Sequence, residues 1–203
     1  MSGMQSQAEL VEKSLSAMDA IYGRRSVRDY APERIDHATI HALLAAAVQA
    51  PTAMHEEPWA FAVVQDKQML QSLSDTAKEL LASGTDAIHS VKARLALDRF
   101  TQTEFNVFYN AGTLIVICGK PIGPFVAADC WLAAENLMLA ATSKGLGSCV
   151  IGLAVPALNT PEWKLKLNIP QEINVFAPII VGIPNSEAPS VPRKPPQILC
   201  WER

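Results

Sequence analysis

The sequence has little charge and no excess of positive charge. Only 18% of its 203 residues are charged, and 17 basic residues stand against 20 acidic ones. Because proteins bind a nucleic-acid backbone through many Lys and Arg contacts, this composition argues against nucleic acid as a partner. The hydrophobic fraction of 49% is enough for a sizeable core and too high for a disordered chain. Any anion site must therefore be a local cluster of basic residues.

Features of exported, membrane and disulfide-rich proteins are also missing from the sequence. No run approaches the roughly 20 apolar residues of a membrane helix, and residues 1–10 lack a basic segment followed by an apolar one. The cysteines are scattered, and three of them lie in apolar runs, where a thiol behaves as a small hydrophobic group: Cys118, Cys130, Cys149 and Cys200. We expect reduced thiols, no membrane partner and a cytoplasmic location.

Hydrophobic periodicity predicts helices and strands along most of the chain. Helices are predicted over residues 8–22, 37–48, 67–81, 87–100, 125–144 and 161–167, and strands over 60–64, 113–118, 148–153 and 176–183. Gly23 is expected to end the first helix, and Asp36 and Thr160 to cap later ones. The helix over 125–144 is apolar nearly all round, so it should be buried in the core or against a second subunit.

No repeat and no glycine-rich linker divides the chain, which predicts a single domain over residues 1–203. Residues 1–8 are expected to be flexible, and the proline-rich segment 184–203 to form an extended C-terminal arm. The pattern favours an α+β fold with a central, mostly antiparallel sheet flanked by helices. An open doubly wound sheet is the alternative, because strand order does not follow from the pattern.

Two short basic clusters are the candidates for an anion site. Arg24, Arg25, Ser26 and Arg28 follow a helix directly, and guanidinium groups offer paired donors that suit a phosphate. A second cluster, Arg193-Lys194, lies between prolines that restrict its backbone. Each cluster alone is as consistent with a solvated surface as with a phosphate site.

Other residues suggest different chemistry. His37 and His41 stand four apart on a helix, a spacing that can hold zinc, but there is no glutamate between them in the metalloprotease arrangement and no obvious third ligand. Cys149 in a glycine-rich turn is a candidate nucleophile, although its surroundings read as a strand entering the core. The loop 51–59 joins a helix to a strand, where binding groups are often placed.

Four motifs in order resemble the signatures of the nitroreductase family of flavoproteins. The first is Gly-Arg-Arg-Ser-Val-Arg at 23–28, and the second is Ala-Pro-Thr-Ala at 50–53 with Glu-Pro-Trp-Ala-Phe at 57–61. The third is Asp129 opening an Ala/Leu-rich helix before Gly-Leu-Gly-Ser-Cys-Val-Ile-Gly at 145–152. The last is Val-Gly-Ile-Pro at 181–184 with Arg193-Lys194. The resemblance therefore covers nearly the whole chain.

The resemblance implies an α+β homodimer with one FMN in each of two sites at the subunit interface. Contacts to the phosphate, ribityl chain and pyrimidine edge would come from Arg24, Arg25, Ser26 and Arg28, with Arg193 and Lys194 at the phosphate. The partner subunit would supply Pro51, Thr52, Ala53 and His55. The isoalloxazine near N5 would lie along Val150, Ile151 and Gly152.

The function implied by this resemblance is FMN-dependent oxidoreduction in two steps. NADH or NADPH would reduce the flavin and leave, and an electron-poor small molecule such as a nitroaromatic or a quinone would then take the electrons. The flavin carries this chemistry, so no side chain has to act as nucleophile. His55 is either a donor of a proton or a hydrogen bond to substrate or an ordinary loop histidine. The alternative from another class is a non-catalytic, dimeric module that binds flavin or phosphate.

Overall fold

A computed structural model of the chain describes residues 15–84, 100, 102 and 104–202. Three sequence predictions fall partly or wholly outside these residues. They are the flexible segment 1–8, the start of the first helix at residue 8, and the helix over 87–100.

Five of the six described helices were predicted from the sequence, and the short helix over Val155–Leu158 was not. The six helices are α1 (Ala17–Gly23), α2 (His37–Ala47), α3 (Lys67–Gly84), α4 (Val126–Ser143), α5 (Val155–Leu158) and α6 (Pro161–Lys166). Both predicted N-caps are confirmed: Asp36 Oδ1 accepts the Thr39 N–H at 2.6 Å, and Thr160 Oγ accepts the Trp163 N–H at 3.3 Å. Such caps satisfy helix N–H groups that have no partner within the helix.

Within the described residues, four strands form one antiparallel sheet. They are β1 (Trp59–Val64), β2 (Thr113–Gly119), β3 (Gly147–Val150) and β4 (Asn174–Gly182), and their order in the sheet is β1-β2-β4-β3. Each neighbouring pair is antiparallel. The predicted α+β fold with a mostly antiparallel sheet is confirmed, and the doubly wound alternative, which needs parallel strands, is wrong.

Helices cover both faces of the sheet. Strand β2 is buried along its whole length, and its side chains alternate between two apolar clusters. Leu114 and Val116 pack on the side of α3 and α6, whereas Ile115 and Ile117 pack on the side of α2 and α4. A strand buried on both faces reads as a continuous apolar run, which is why β2 was recognisable in the sequence.

Three predicted boundaries are wrong. Leu15 and Ser16 were predicted as part of the first helix, but Ser16 is the N-cap, whose hydroxyl accepts the Asp19 N–H at 3.1 Å, and α1 begins at Ala17. The strand expected over 148–153 ends at Val150, and the chain continues as a 3₁₀ turn over Gly152–Ala154. Strand β3 pairs with β4 over four residues, and the Ile151 N–H donates one more hydrogen bond to the Pro178 carbonyl at 2.8 Å before the chain leaves the sheet, although β4 itself extends to Asn174. Gly23 lies within α1, and Arg24 is the residue whose N–H closes the last turn on the Ala20 carbonyl.

Beyond β4, residues 185–202 contain no helix or strand. Most of these residues are exposed, and Ala188 packs against the core. No helix within the described residues combines the length and the hydropathy needed to cross a membrane.

Candidate functional site

The segment after α1 lies along the outer edge of β3. Ser26 forms a parallel bridge with Ser148, and the Val27 N–H donates to the Ser148 carbonyl at 3.0 Å. Tyr30 pairs with Pro184 at the end of β4, and its hydroxyl donates to the Val27 carbonyl at 2.8 Å. The first basic cluster is thereby held on the sheet, next to the start of the C-terminal arm.

Two glycines allow this close approach. A Cβ on Gly147 would lie 2.8 Å from Val27 Cβ, and one on Gly182 would lie 2.9 Å from Tyr30 Cδ1. Both distances are shorter than side-chain carbons tolerate, so a larger residue would push the segment away from the sheet. These glycines therefore help to place the arginines.

The two basic clusters meet in one cavity. Arg25, Ser26 and Arg28 line a cavity of about 470 Å³ together with Arg193, which lies about 165 residues further along the chain. We call it the arginine cavity. Its wall also contains Asp29 and Glu187. The Asp29 carboxylate accepts the Asn185 Nδ2–H at 2.8 Å and so ties the arm to the first segment. The result is a concave surface lined by three arginines from two distant segments.

The remaining basic residues of the two clusters lie differently. Arg24 does not line the arginine cavity; its Nε lies 3.4 Å from Glu135 Oε1 on α4. Lys194 is exposed and does not line it either. Arg25 Nη1 donates to the carbonyls of Tyr22 at 2.6 Å and Arg24 at 2.8 Å, which fixes its guanidinium at the end of α1. The predicted phosphate contacts of Arg24, Arg25 and Lys194 stay predictions.

A smaller cavity of about 170 Å³ opens at the end of β3, and we call it the strand-end cavity. Val150, Ile151 and Gly152 line it, as does Arg28, which is thus shared with the arginine cavity. The structure therefore brings the first and third sequence motifs together around Arg28.

Aromatic side chains also line the strand-end cavity. Phe100 and Tyr109 line it, and Phe105 makes edge-to-face contacts with both, at ring-centre distances of 5.2 and 5.4 Å. The Arg28 guanidinium lies 5.8 Å from the centre of the Tyr109 ring, within cation–π range. Tyr109 itself has a left-handed backbone with φ 51°. These rings offer apolar, flat surfaces beside a cation.

The loop 51–58 lies elsewhere on the chain and lines neither cavity. It contains a 3₁₀ turn over Ala53–His55, and Met54, His55 and Glu57 have φ values of 55°, 57° and 46°. A left-handed backbone costs a residue other than glycine about 1 kcal/mol or more. Trp59 after the loop is buried in the core. The predicted roles of Pro51, Thr52, Ala53 and His55 in a partner's site stay predictions.

The thiol alternative is not supported at Cys149. Burial raises the pKa of this thiol, against the opposing effects of Arg28, a hydrogen bond with Ser26, and Arg24. A nucleophilic cysteine needs a lowered pKa and access to solvent. Within the described residues, no group of three or more His, Cys, Asp or Glu side chains could hold a metal ion, so His37 and His41 have no such group around them.

Two residues of the site had no role assigned from the sequence. Tyr109 contacts Arg28, and Asp129 accepts the Ala53 N–H through Oδ1 at 3.2 Å. The only charged residues of α4 are Asp129 and Glu135, in a helix that is otherwise nearly all apolar. A charge in such a helix is the signal that could have drawn attention to Asp129. Tyr109 carried no comparable signal, because its contact spans 81 positions of the chain.

The fold and the cavities together define a class of protein. It is an α+β protein in which a basic segment after α1 and the C-terminal arm line one cavity at the edge of an antiparallel sheet. A family model described as the nitroreductase family matches residues 21–183. The chain belongs to the nitroreductase family.

Individual relatives agree with this assignment. An Archaeoglobus fulgidus protein, named as a candidate NADH dehydrogenase/NAD(P)H nitroreductase, is 31% identical over 82% of this chain and 84% of its own length. The iodotyrosine deiodinase of Thermotoga neapolitana is 29% identical over 84% of this chain and 89% of its own. The solved nitroreductase of Bacteroides fragilis, which has FMN bound, is similar with a TM-score of 0.74 and 28% identity over 90% and 95%.

Proposed function

We propose that this protein is an FMN-dependent oxidoreductase that takes electrons from NADH or NADPH and passes them to an electron-poor small molecule. One observation carries the proposal: Arg25, Ser26, Arg28 and Arg193, from two distant segments, line a single cavity. Family membership and the FMN bound in the Bacteroides fragilis nitroreductase support it.

The arginine cavity fits the phosphate end of FMN. A phosphate monoester carries close to two negative charges at neutral pH and accepts charge-assisted hydrogen bonds most strongly from guanidinium groups. Three arginines and Ser26 line the cavity, as do two carboxylates, and Arg25 has further N–H groups besides the Nη1 that donates to two carbonyls. Its volume of about 470 Å³ is within the range of small-molecule pockets. Arg193 would close on the phosphate from the arm.

In our proposal the ring end of the same molecule lies at the strand-end cavity, because Arg28 lines both cavities. Bound FMN would supply hydride and electron transfer. Arg28 beside the pyrimidine edge would favour the form of the ring that carries negative charge, and the backbone at Val150–Gly152 would orient it. The side chains around this cavity would thus bind, orient and polarise the flavin ring. No nucleophile or metal ligand is required of them.

The flavin site would be completed by a second subunit. Large apolar side chains are exposed on two helices that pack together, α1 and α4. They are Met18, Ile21, Tyr22, Trp131 and Leu132. An apolar face of this kind favours association. The loop 51–58 lines neither cavity of its own chain, so in our proposal it contributes Pro51, Thr52, Ala53 and His55 to the site of the partner.

An aromatic acceptor suits the rings of Phe100, Phe105 and Tyr109, since flat rings pack on such surfaces. Nitroaromatics and quinones are the acceptor class that we propose. The Thermotoga neapolitana relative adds a second one, because that protein is named an iodotyrosine deiodinase. Reductive removal of iodide from an iodinated tyrosine is therefore the second reaction to measure.

The decisive experiment is the absorbance spectrum of purified protein loaded with FMN, recorded before and after anaerobic addition of NADH or NADPH. The proposal predicts bleaching of the flavin by one donor or both, and recovery of the colour on addition of a nitroaromatic or a quinone. Steady-state rates should give parallel lines in double-reciprocal plots, because the donor leaves before the acceptor binds.

The same experiment separates the other class of function. A protein that binds FMN but is not bleached by either nicotinamide donor would be a flavin-binding module, and the enzyme proposal would be wrong. Failure to take up FMN at all would overturn the assignment of the arginine cavity. Comparing a nitroaromatic with 3-iodotyrosine as oxidant of the reduced protein then ranks the two acceptor classes.

A further inference from the structure

Each of the two charged residues of α4 contacts a segment that the proposed function assigns to the flavin site. Glu135 pairs with Arg24, and Asp129 Oδ1 accepts the Ala53 N–H at 3.2 Å. We propose that Asp129 is a positioning residue, which holds the loop 51–58 in the conformation that completes a flavin site. This inference rests on the proposed function and adds to it a residue that acts through the loop.

The environment of Asp129 argues against a role in stability alone. Its exposure is 3%, and within the described residues Oδ2 has no hydrogen-bond partner. A buried carboxylate loses its hydration, and one neutral N–H does not replace it. An apolar residue of similar size would suit the surrounding helix better. The carboxylate is explained by what it holds, which is the backbone of Ala53.

The loop needs such a contact because its backbone is unusual. Met54, His55 and Glu57 all have a left-handed conformation. Such conformations persist only where the surroundings determine them. The contact from Asp129 fixes the loop before these residues, and the Lys120 N–H, which donates to the Pro58 carbonyl at 2.9 Å, fixes it after them. The left-handed residues therefore lie between two long-range hydrogen bonds.

Removing the carboxylate should release the first of these two attachments. The Ala53 N–H would lose its acceptor, and the loop would relax toward ordinary backbone conformations. Thr52, Ala53 and His55 would then no longer be presented in one arrangement. The affinity for FMN would fall although Asp129 itself need not touch the flavin.

The test compares Asp129→Ala and Asp129→Asn with the unchanged protein. Two quantities are measured: amide hydrogen exchange at Ala53 in flavin-free protein, and the Kd for FMN. Asp129→Ala should speed exchange at Ala53 and weaken FMN binding by about tenfold each, the effect of one lost charge-assisted hydrogen bond. Asparagine keeps an acceptor oxygen, so Asp129→Asn should change the exchange rate at Ala53 and the Kd for FMN by no more than about threefold from the unchanged protein.

A matched control lies on the same helix. Asn136 Nδ2 donates to the Ala46 carbonyl at 3.4 Å, so it too links α4 to an earlier segment. Asn136→Ala should lower the melting temperature without changing exchange at Ala53 or the Kd for FMN. This control removes a contact of the helix that does not reach the loop.

A change on the other side of the hydrogen bond tests the same idea independently. Ala53→Pro deletes the N–H donor, and the position tolerates proline: Ala53 begins the 3₁₀ turn and Thr52 has φ −127° and ψ 150°. It should weaken FMN binding as Asp129→Ala does. The double variant should have a Kd for FMN no higher than that of the weaker-binding single variant, because both substitutions remove the same interaction.

Clear results would overturn the inference. If Asp129→Ala lowers stability but leaves exchange at Ala53 and the Kd for FMN unchanged, Asp129 is only structural. Additive losses in the double variant would also contradict it. A wild-type protein that binds no FMN would overturn the proposed function together with the effect on flavin binding. The exchange rate at Ala53 distinguishes the two failures, because it is measured without flavin.

Discussion

The Arg28 guanidinium lies 5.8 Å from the centre of the Tyr109 ring, and Arg28 lines both the arginine cavity and the strand-end cavity. The exposed side chain of Arg28 is flexible on its own, so a ring beside it restricts the directions in which it can point. Tyr109 therefore helps to set where the positive charge lies between the two cavities.

Replacing Tyr109 by leucine should weaken FMN binding by about two- to fivefold, because an exposed cation–π contact contributes about 0.5–1 kcal/mol. The midpoint potential of bound FMN should also become more negative, because Arg28 would move away from the flavin ring. Tyr109→Phe keeps the aromatic face and is the control. If Tyr109→Leu and Tyr109→Phe have the same Kd for FMN and the same midpoint potential, the contact between Tyr109 and Arg28 has no such role.

Replacing Arg193 by alanine should weaken FMN binding by about 10- to 100-fold, since a hydrogen bond to a charged group contributes about 1.5–3 kcal/mol. Lys194 is its neighbour but does not line the arginine cavity, so Lys194→Ala should have a smaller effect. Fluorescence titration of FMN measures both. Equal affinity in Arg193→Ala and wild type would remove the arm from the proposed site.

Replacing Gly147 by alanine should lower the free energy of unfolding by about 1–3 kcal/mol, the usual effect of overpacking, because the new Cβ would lie 2.8 Å from Val27 Cβ. FMN binding should weaken as well, since Val27 lies between Ser26 and Arg28. Gly23→Ala is the matched control: nothing lies within 4 Å of its added Cβ, and alanine favours a helix. Urea unfolding that ranks the two variants in the opposite order would contradict this account.

Alkylation of native protein by iodoacetamide at pH 8 should modify Cys200 first, because it is the exposed thiol. Burial raises the pKa of both Cys118 and Cys130 to about 12, so these thiols stay protonated and should react only after unfolding. By linkage, the stability from these shifts is present below their usual pKa of 9.0 and is lost as pH rises from there toward 12. Peptide mass mapping that finds Cys118 labelled as fast as Cys200 would show the core to be open.

Replacing Trp131 by glutamate should convert the proposed dimer to a monomer. Trp131 is 45% exposed on α4, beside Leu132 at 46%, and a charge there would be buried without a partner in an interface. Leu165 on α6 is also exposed, at 75%, but lies away from α1 and α4, so Leu165→Glu should remain a dimer. Light scattering at low protein concentration measures the molar mass of the Trp131→Glu and Leu165→Glu variants. A wild-type monomer would contradict the dimer directly.

Local signals were sufficient for most of the fold. Asp36 and Thr160 cap the helices that they were predicted to cap, because capping depends on residues within one turn. Strand β2 was visible as a continuous apolar run. The end of β3 was not, because the apolar run continues past Val150 into a 3₁₀ turn in which Ala154 is buried as well. An apolar pattern shows that residues are buried, but it does not show where pairing with a neighbouring strand stops.

For the candidate site, the amino-acid sequence by itself determined which residues are cationic, which motifs occur and in what order, and so the family. Tertiary structure decided which arginines share a cavity, and it separated Arg25 and Arg193 from Arg24, which pairs with Glu135. It also decided that Asp129 reaches Ala53 and that Tyr109 faces Arg28. The reason is physical: composition and periodicity act within a few residues, whereas these contacts join segments that only packing of the sheet and helices brings together.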